Sequence, residues 1–240
     1  AHIKNFKNIS EIALAKSEII KNIKDDGYLI LNKDDKFYNF HKEIGLKKNL
    51  KILSFSLKNK SATINLGLVT KEKSKYKISI NINKKKIYFY SNSFFENDLK
   101  NMLAAILIIS IFTDIHKLDR NIFYNHKKIN GRGDITKVKL FKKNFYLVDE
   151  SYNSNPLSLK SALQNFDMIK VDNAKKHLVL GDMLELGKYS KKLHIEIGKS
   201  INKTSLKNVN VIGKHIKWTF NNINKSKKGV ILNKKSQIID

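Results

Sequence analysis

One stretch constrains this chain more than any other. Residues 145–156 read FYLVDESYNSNP and end at Pro156, the only proline. The run begins as an apolar β pattern, Phe145 to Val148, and turns polar at Asp149-Glu150. Proline fixes φ and lacks an N–H, so it is tolerated at the first position of a helix, where Asn155 would precede it as N-cap. Leu159, Ala162, Leu163 and Phe166 then recur at helical spacing. The expected unit is strand, short polar loop, helix. The helix N-terminus faces the strand end, a corner where α/β proteins bind ligands and where free amides and the helix dipole favour an anion. Asp149 and Glu150 would offer carboxylates there to hydroxyls or an ammonium.

A second strand-to-loop passage follows at 177–187, HLVLGDMLELG. Runs at 176–181, 208–213 and 229–232, with a helix at about 188–203, alternate as βαβαβ, the pattern of a parallel, Rossmann-like sheet. Asp182 and Glu185 fall at a strand's carboxyl end and His194 on the following helix. A lone helical histidine is more often surface or core than catalytic, and the spacing assigns it no chemistry.

The pair D-E-S-Y-N-x-N-P and G-D-M-L-E-L-G resembles the C-terminal domain of the Mur ligases, in their MurF branch. The resemblance extends more thinly over the whole chain. It implies an α/β protein: part of a Mur ligase central domain (helices, parallel strands and a small antiparallel sheet) at 1–131, then a Rossmann-like C-terminal domain at 132–240. It also implies that the chain is the second half of the central domain plus most of the C-terminal one.

The amino-terminal part fits this picture. Residues 9–23 are expected to form an amphipathic helix with Ile9, Ile12, Ala13, Ile20 and Ile23 as its apolar stripe. Lys16 falls in the same stripe, seven positions after Ile9. A lysine on an inward face either snorkels or is desolvated, and a desolvated, partly neutral amine can capture carbon dioxide as an anionic carbamate. Ala1-His2-Ile3, then Ala13-Leu14-Ala15-Lys16-Ser17-Glu18-Ile19, matches the family in register. The resemblance implies that Lys16, as a carbamate, and His2 serve a Mg²⁺ ion. A strand at 27–32 leads to Asn32-Lys33-Asp34-Asp35, a capping signal that receives no catalytic role, and a helix is expected over 35–45.

Four short β runs follow: KILSFS, ATINLGLV, KYKISINI and KIYFYS. The last three are separated by hairpin turns at 71–75 and 83–86, and together they resemble the family's small antiparallel sheet. Helices are expected over 97–112 and 114–130. The first ends its family motif in Asn101-Met102-Leu103-Ala104-Ala105 but carries Asn97 where the family has His and Asp98 where it has Asn. The resemblance places both on the adenine side of ATP. Asn130-Gly131-Arg132-Gly133 is the expected hinge, with Arg132 on the ATP phosphates. Residues 135–142 and 145–150 are expected to pair as strands, with Glu150 on the ribose and Asn153 and Asn155 near the incoming amine substrate.

Composition narrows the alternatives. The formal net charge is +26, but only two of the 47 basic residues are arginines, Arg120 and Arg132. Nucleic-acid readers lean on arginine for bidentate contacts, and these lysines form no block. Specific nucleic-acid binding is therefore not expected, although polyanions should adhere at low salt. There is no cysteine, hence no disulfide framework and no thiolate metal site. The longest apolar run, 102–113, is too short to span a bilayer, and the start has no signal-peptide shape.

Taken together, the resemblance implies an ATP- and Mg²⁺-dependent, cytoplasmic, monomeric amide ligase of peptidoglycan precursor synthesis. Its substrates would be UDP-N-acetylmuramoyl-tripeptide and D-alanyl-D-alanine. No G-x-x-x-x-G-K-[ST] loop occurs in the 240 residues, so this chain alone is expected to be inactive. The alternatives are a nonenzymatic remnant of such a ligase, which the residues at 97, 98 and 150 would fit, or another ligase of the superfamily such as a folylpolyglutamate synthase.

Overall fold

The computed structural model describes residues 6–83, 85–126, 130–140, 142–172 and 176–238. The chain divides into two compact units, 10–127 and 128–240 together with 1–9.

In the unit 10–127, α1 (Ile9–Lys21) leads to β1 (Tyr28–Asn32), α2 (Tyr38–Lys47) and β2 (Lys51–Ser56). Then come β3 (Ile64–Glu72), β4 (Lys75–Ile82), β5 (Lys85–Ser91) and α3 (Glu96–Phe112). The five strands form one sheet in chain order. β1, β2 and β3 are parallel, whereas β3, β4 and β5 are antiparallel. The KILSFS run thus joins β1 in a parallel pair, not the antiparallel hairpins. Strand periodicity reports which face is buried, not which way a neighbour runs. Ile64, Ile78, Ile80 and Phe89 on the sheet pack with Leu103, Ile106 and Leu107 of α3, all fully buried. Each such aliphatic side chain contributes roughly 1.5–3 kcal/mol when withdrawn from water.

Three expectations need correction here. First, α2 begins at Tyr38 rather than 35, because Asp35 spends its carboxylate on the Phe37 amide and shapes the preceding turn. Second, the described residues 114–126 of the expected helix 114–130 are not α-helical, and residues 127–129 lie outside the described ones. The described stretch holds one 3-10 turn, Ile115–Lys117, followed by irregular turns. The Asp114 side chain accepts the His116 amide and Asp119 accepts the Asn121 amide, so local side-chain bonds replace the helical ladder. Third, the buried face of α1 is Ala13, Ser17 and Ile20, while Ile9 and Lys16 are exposed.

In the other unit, β6 (Asp134–Leu140) and β7 (Lys143–Asp149) form an antiparallel hairpin. α4 (Pro156–Met168), β8 (Leu178–Leu180), α5 (Ser190–Asn202), β9 (Val209–Ile212), α6 (Ile216–Asn221) and β10 (Lys228–Leu232) follow. β8, β9 and β10 make a parallel sheet in the order β10-β9-β8. Its core gathers Met183, Leu186, Ile197, Ile201, Leu206, Val209 and Val211. The β6–β7 hairpin is a two-stranded sheet of its own. The apolar run of β7 is accordingly open to solvent, with Tyr146 and Leu147 exposed. Among the described residues no helix is long and apolar enough to cross a membrane.

Candidate functional site

The carboxyl end of β7 carries the first motif. Pro156 opens α4 and Asn155 caps it. The Asn155 Oδ1 accepts the Leu157 and Ser158 amides, each at 3.0 Å, while Ser158 Oγ accepts the Asn155 amide at 3.0 Å. Leu159 N–H donates to the Asn155 carbonyl at 2.9 Å. Every donor of the first turn is therefore used, since Pro156 has none. The expectation of free amides awaiting an anion is overturned by this reciprocal cap, and only the helix dipole remains to favour negative charge.

The Gly131-Arg132-Gly133 turn is hydrogen-bonded to this corner. Tyr152 N–H donates to the Gly131 carbonyl at 3.1 Å, and Gly133 N–H to the Asp149 carbonyl at 2.7 Å. The Asp134 carboxylate accepts the Gly131 amide at 3.0 Å, and that of Asp149 accepts the Ser151 amide at 2.9 Å. Gly131 and Gly133 have φ of 78° and 79°, the left-handed region that favours glycine. A Cβ on Gly131 would lie 3.0 Å from Cβ and N of Tyr152. The turn presents Arg132, exposed, with its guanidinium carbon 4.3 Å from the Tyr152 ring centroid. Glu150 and Asn153 are exposed on the same loop. Arg132, Glu150, Asn153 and Asn155 thus fall in one short stretch of surface, and a planar cation next to a carboxylate-bearing loop can receive an anion bidentately. The other arginine does a different job. Arg120 is half-buried against Phe89 and Tyr88 and donates to the His116 carbonyl.

The second motif closes another corner. At the carboxyl end of β8, Asp182 reaches across to the loop after β9. Its Oδ1 accepts the Ile216 amide at 2.7 Å and its Oδ2 the Lys214 amide at 3.0 Å. Gly213 leaves room for that carboxylate, since a Cβ there would lie 2.5 Å from Asp182 Oδ1. Met183 and Leu186 anchor the loop in the core, and Glu185 adopts φ 58°. His194 of α5 is fully buried behind it. Burial lowers its pKa from the usual imidazole value, against the opposing pull of its hydrogen bond to the Ser190 backbone. The sequence pattern left His194 without a role. Its burial and its bond to the loop could not be read from spacing alone.

The remaining candidates lie in the unit 10–127, apart from His2, which is outside the described residues. Asp98 is half-buried in the first turn of α3 and accepts the Ser93 hydroxyl. Asn97 beside it is exposed. Lys16 is exposed on α1. The Asp34 carboxylate accepts the Ser56 hydroxyl at 2.5 Å and the Leu57 amide at 2.7 Å, tying the turn after β1 to the end of β2, as befits a structural residue. A cleft of about 230 Å³ between the β4–β5 turn and the end of α3 touches none of the candidates. Among the described residues no three His, Asp or Glu side chains converge as a metal site would need.

A mixed sheet with α3 on one unit, and on the other a three-stranded parallel sheet preceded by a capped βα corner, define the class. Residues 1–109 match the Mur ligase middle domain and residues 135–239 the Mur ligase glutamate ligase domain. The chain belongs to the Mur ligase family. It is 26% identical over 228 residues to the UDP-N-acetylmuramoyl-tripeptide–D-alanyl-D-alanine ligase of Rickettsia prowazekii, covering 92% of this chain and 48% of that protein. Its fold is similar to that of MurF from Acinetobacter baumannii, with a TM-score of 0.81, 20% identity and coverage of 97% of this chain and 48% of the other. It is also similar to MurF from Thermotoga maritima in complex with ADP, with a TM-score of 0.79, 21% identity and coverage of 99% and 52%. The chain therefore spans about half the length of the relatives it matches.

Proposed function

We propose that this chain carries part of an ATP-dependent amide ligase that joins D-alanyl-D-alanine to UDP-N-acetylmuramoyl-tripeptide. The supporting observation is the Rickettsia prowazekii relative of that name, matched along 92% of the chain. In this reading the tripeptide carboxylate attacks the γ-phosphate of ATP, giving an acyl phosphate and ADP. The amine of D-alanyl-D-alanine then attacks the acyl carbon and phosphate leaves, so one amide forms per ATP consumed. The enzyme works in the cytoplasm as a monomer.

The residues divide the work as follows. Arg132, propped on Tyr152, receives phosphate oxygens, and Glu150 accepts from ribose hydroxyls. Asn97 and Asp98 border the adenine. Asn153 faces the incoming amine. Asn155 supports that loop through its cap, its Oδ1 already committed. We place the domain boundary between 131 and 132, so that the Gly-Arg-Gly turn acts as the hinge.

Magnesium would neutralise phosphate charge. The described residues do not by themselves form its cage, because no acidic or histidine cluster is present among them and Lys16 points to solvent. Assigning Lys16, as carbamate, and His2 to the metal therefore requires further ligands. The paired motifs S-Y-N-x-N-P and G-D-M-L-E-L-G disfavour a folylpolyglutamate synthase.

The test is to titrate the ¹⁵N-labelled chain with D-alanyl-D-alanine. Shifts at Asn153 and along its loop, 149–155, are expected. No shift in that loop would reject the reading.

A further inference from the structure

We propose that His194 is a positioning residue for the Gly181–Leu186 loop, holding it through a neutral imidazole whose Nε2 accepts the Met183 amide. This positioning does not rest on the reading above.

The chemistry of the partners fixes the tautomer. Met183 N–H, 3.2 Å from Nε2, can only donate, so Nε2 must carry a lone pair. The Ser190 carbonyl, 2.8 Å from Nδ1, can only accept, so Nδ1 must carry the proton. Both ring nitrogens are thus committed, and only the uncharged ring satisfies both. A second proton would land on Nε2 and set two donors against each other at a fully buried site.

The surroundings offer that proton little compensation. From the loop, the Asp182 carboxylate would favour it, but its two oxygens already accept the Lys214 and Ile216 amides. From the α6 side, His215 and Trp218 stand with ring centroids 6.1 Å and 5.9 Å away. From α5 itself the Ser190 hydroxyl lies 3.4 Å from Nδ1. Thr219 donates its hydroxyl to the His194 carbonyl at 2.7 Å, and Gly198 sits where a Cβ would be 2.8 Å from the Thr219 carbonyl. The histidine therefore rides on a close α5–α6 contact and cannot simply swing away.

What it holds is a loop with reason to relax. Glu185 is in the left-handed region, uncommon for a non-glycine residue, and Leu184 is largely exposed. The loop stands at the carboxyl end of a strand of the parallel sheet, where ligands of such sheets bind. His194 fixes the Met183 amide and Asp182 ties the same loop to the one after β9, so a single imidazole state sets the shape of this rim.

The test needs no ligand and so stands apart from the D-alanyl-D-alanine titration. Amide exchange and imidazole ¹⁵N shifts of the 240-residue chain are followed from about pH 8 to about pH 5, across the ordinary imidazole range. As His194 protonates, the protection factor of the Met183 amide should fall by about tenfold or more, the scale of one lost buried hydrogen bond, while that of Val211 in β9 holds. His194→Leu should show the same selective loss at all pH values. His194→Gln, which restores an acceptor, should recover protection and abolish its pH dependence. A Met183 amide indifferent to imidazole protonation would overturn the proposal, as would Gln and Leu variants that behave alike. Equal loss at Met183 and Val211 would also overturn it. If the Leu variant does not fold, the pH series on the unaltered chain decides.

Discussion

Gly131 and Tyr152 face each other across a 3.1 Å hydrogen bond, carbonyl to amide, and the residue between the two glycines, Arg132, lies over the Tyr152 ring. A turn of two left-handed glycines is thereby fastened to the loop that follows β7. Gly131→Ala should be destabilising twice over, by about 1–2 kcal/mol for the left-handed backbone and further for the contact with Tyr152 at 3.0 Å. Urea midpoints would check this. A midpoint equal to that of the unaltered chain would mean the turn is not held as described.

The cap of α4 makes a cleaner prediction. Asn155→Ala removes the acceptor of two amides and should cost about 1 kcal/mol. Asn155→Asp keeps the acceptor, adds a charge that suits the helix dipole, and should cost nothing or stabilise slightly. The denaturation midpoint of the Ala variant should fall below that of the unaltered chain, and that of the Asp variant should match or exceed it.

Lys16 tests a correction. On an inward face its truncation would disturb packing. Exposed as it is, Lys16→Ala should change stability by no more than about 0.5 kcal/mol. Thermal unfolding would show this, and a large loss would restore the inward placement.

His194 gives the chain a pH dependence whose sign follows from linkage. Its folded pKa lies below the unfolded value, with burial as the main cause. In the window between the two the unfolded state binds more protons. This contribution is therefore fully present above about pH 6.5 and is lost as pH falls from there toward the folded pKa. The unaltered chain should lose more stability than His194→Gln over that range, as read by urea midpoints at each pH. Equal losses would mean that the histidine contributes nothing.

The chain also lacks a G-x-x-x-x-G-K-[ST] loop. Alone, it should release no phosphate from ATP, with or without D-alanyl-D-alanine, in a phosphate-release assay. Turnover would show that the phosphates are held by another device.

Much of the architecture could be read from local pattern. The single proline placed the start of α4, and Asn155 before it is the cap. The apolar run of α3 is buried against the sheet, and the alternation in KYKISINI puts Ile78, Ile80 and Ile82 inside. What failed was information that local pattern does not hold. Ile115, Leu118 and Phe123 reach the core from turns, because two aspartates take amides that a helix would use. Ile9 and Lys16 share a periodic stripe, but packing against neighbours decides which side of α1 is covered. Phe145 to Val148 looks like a buried strand and forms an open ribbon, because burial depends on what lies above a strand. His194 is visible as a letter eight positions after Leu186, but its bond to Met183 exists only once α5 folds over the loop. For the site, the roles of Arg132, Glu150, Asn153 and Asn155 come from the resemblance, and the structure sets the four on one loop and the turn bonded to it. In the unit 10–127, Asn97 and Asp98 rest on resemblance, and the stripe that also pointed to Lys16 is not the buried face of α1.

The most direct measurement of the central claim is the ¹⁵N titration with D-alanyl-D-alanine set beside the same titration with L-alanyl-L-alanine. The account predicts saturable shifts at Asn153 and along its loop, 149–155, for the D,D dipeptide, and none at those residues for its mirror image. Equal responses to the two, or no response to either, would contradict a chain built to receive D-alanyl-D-alanine.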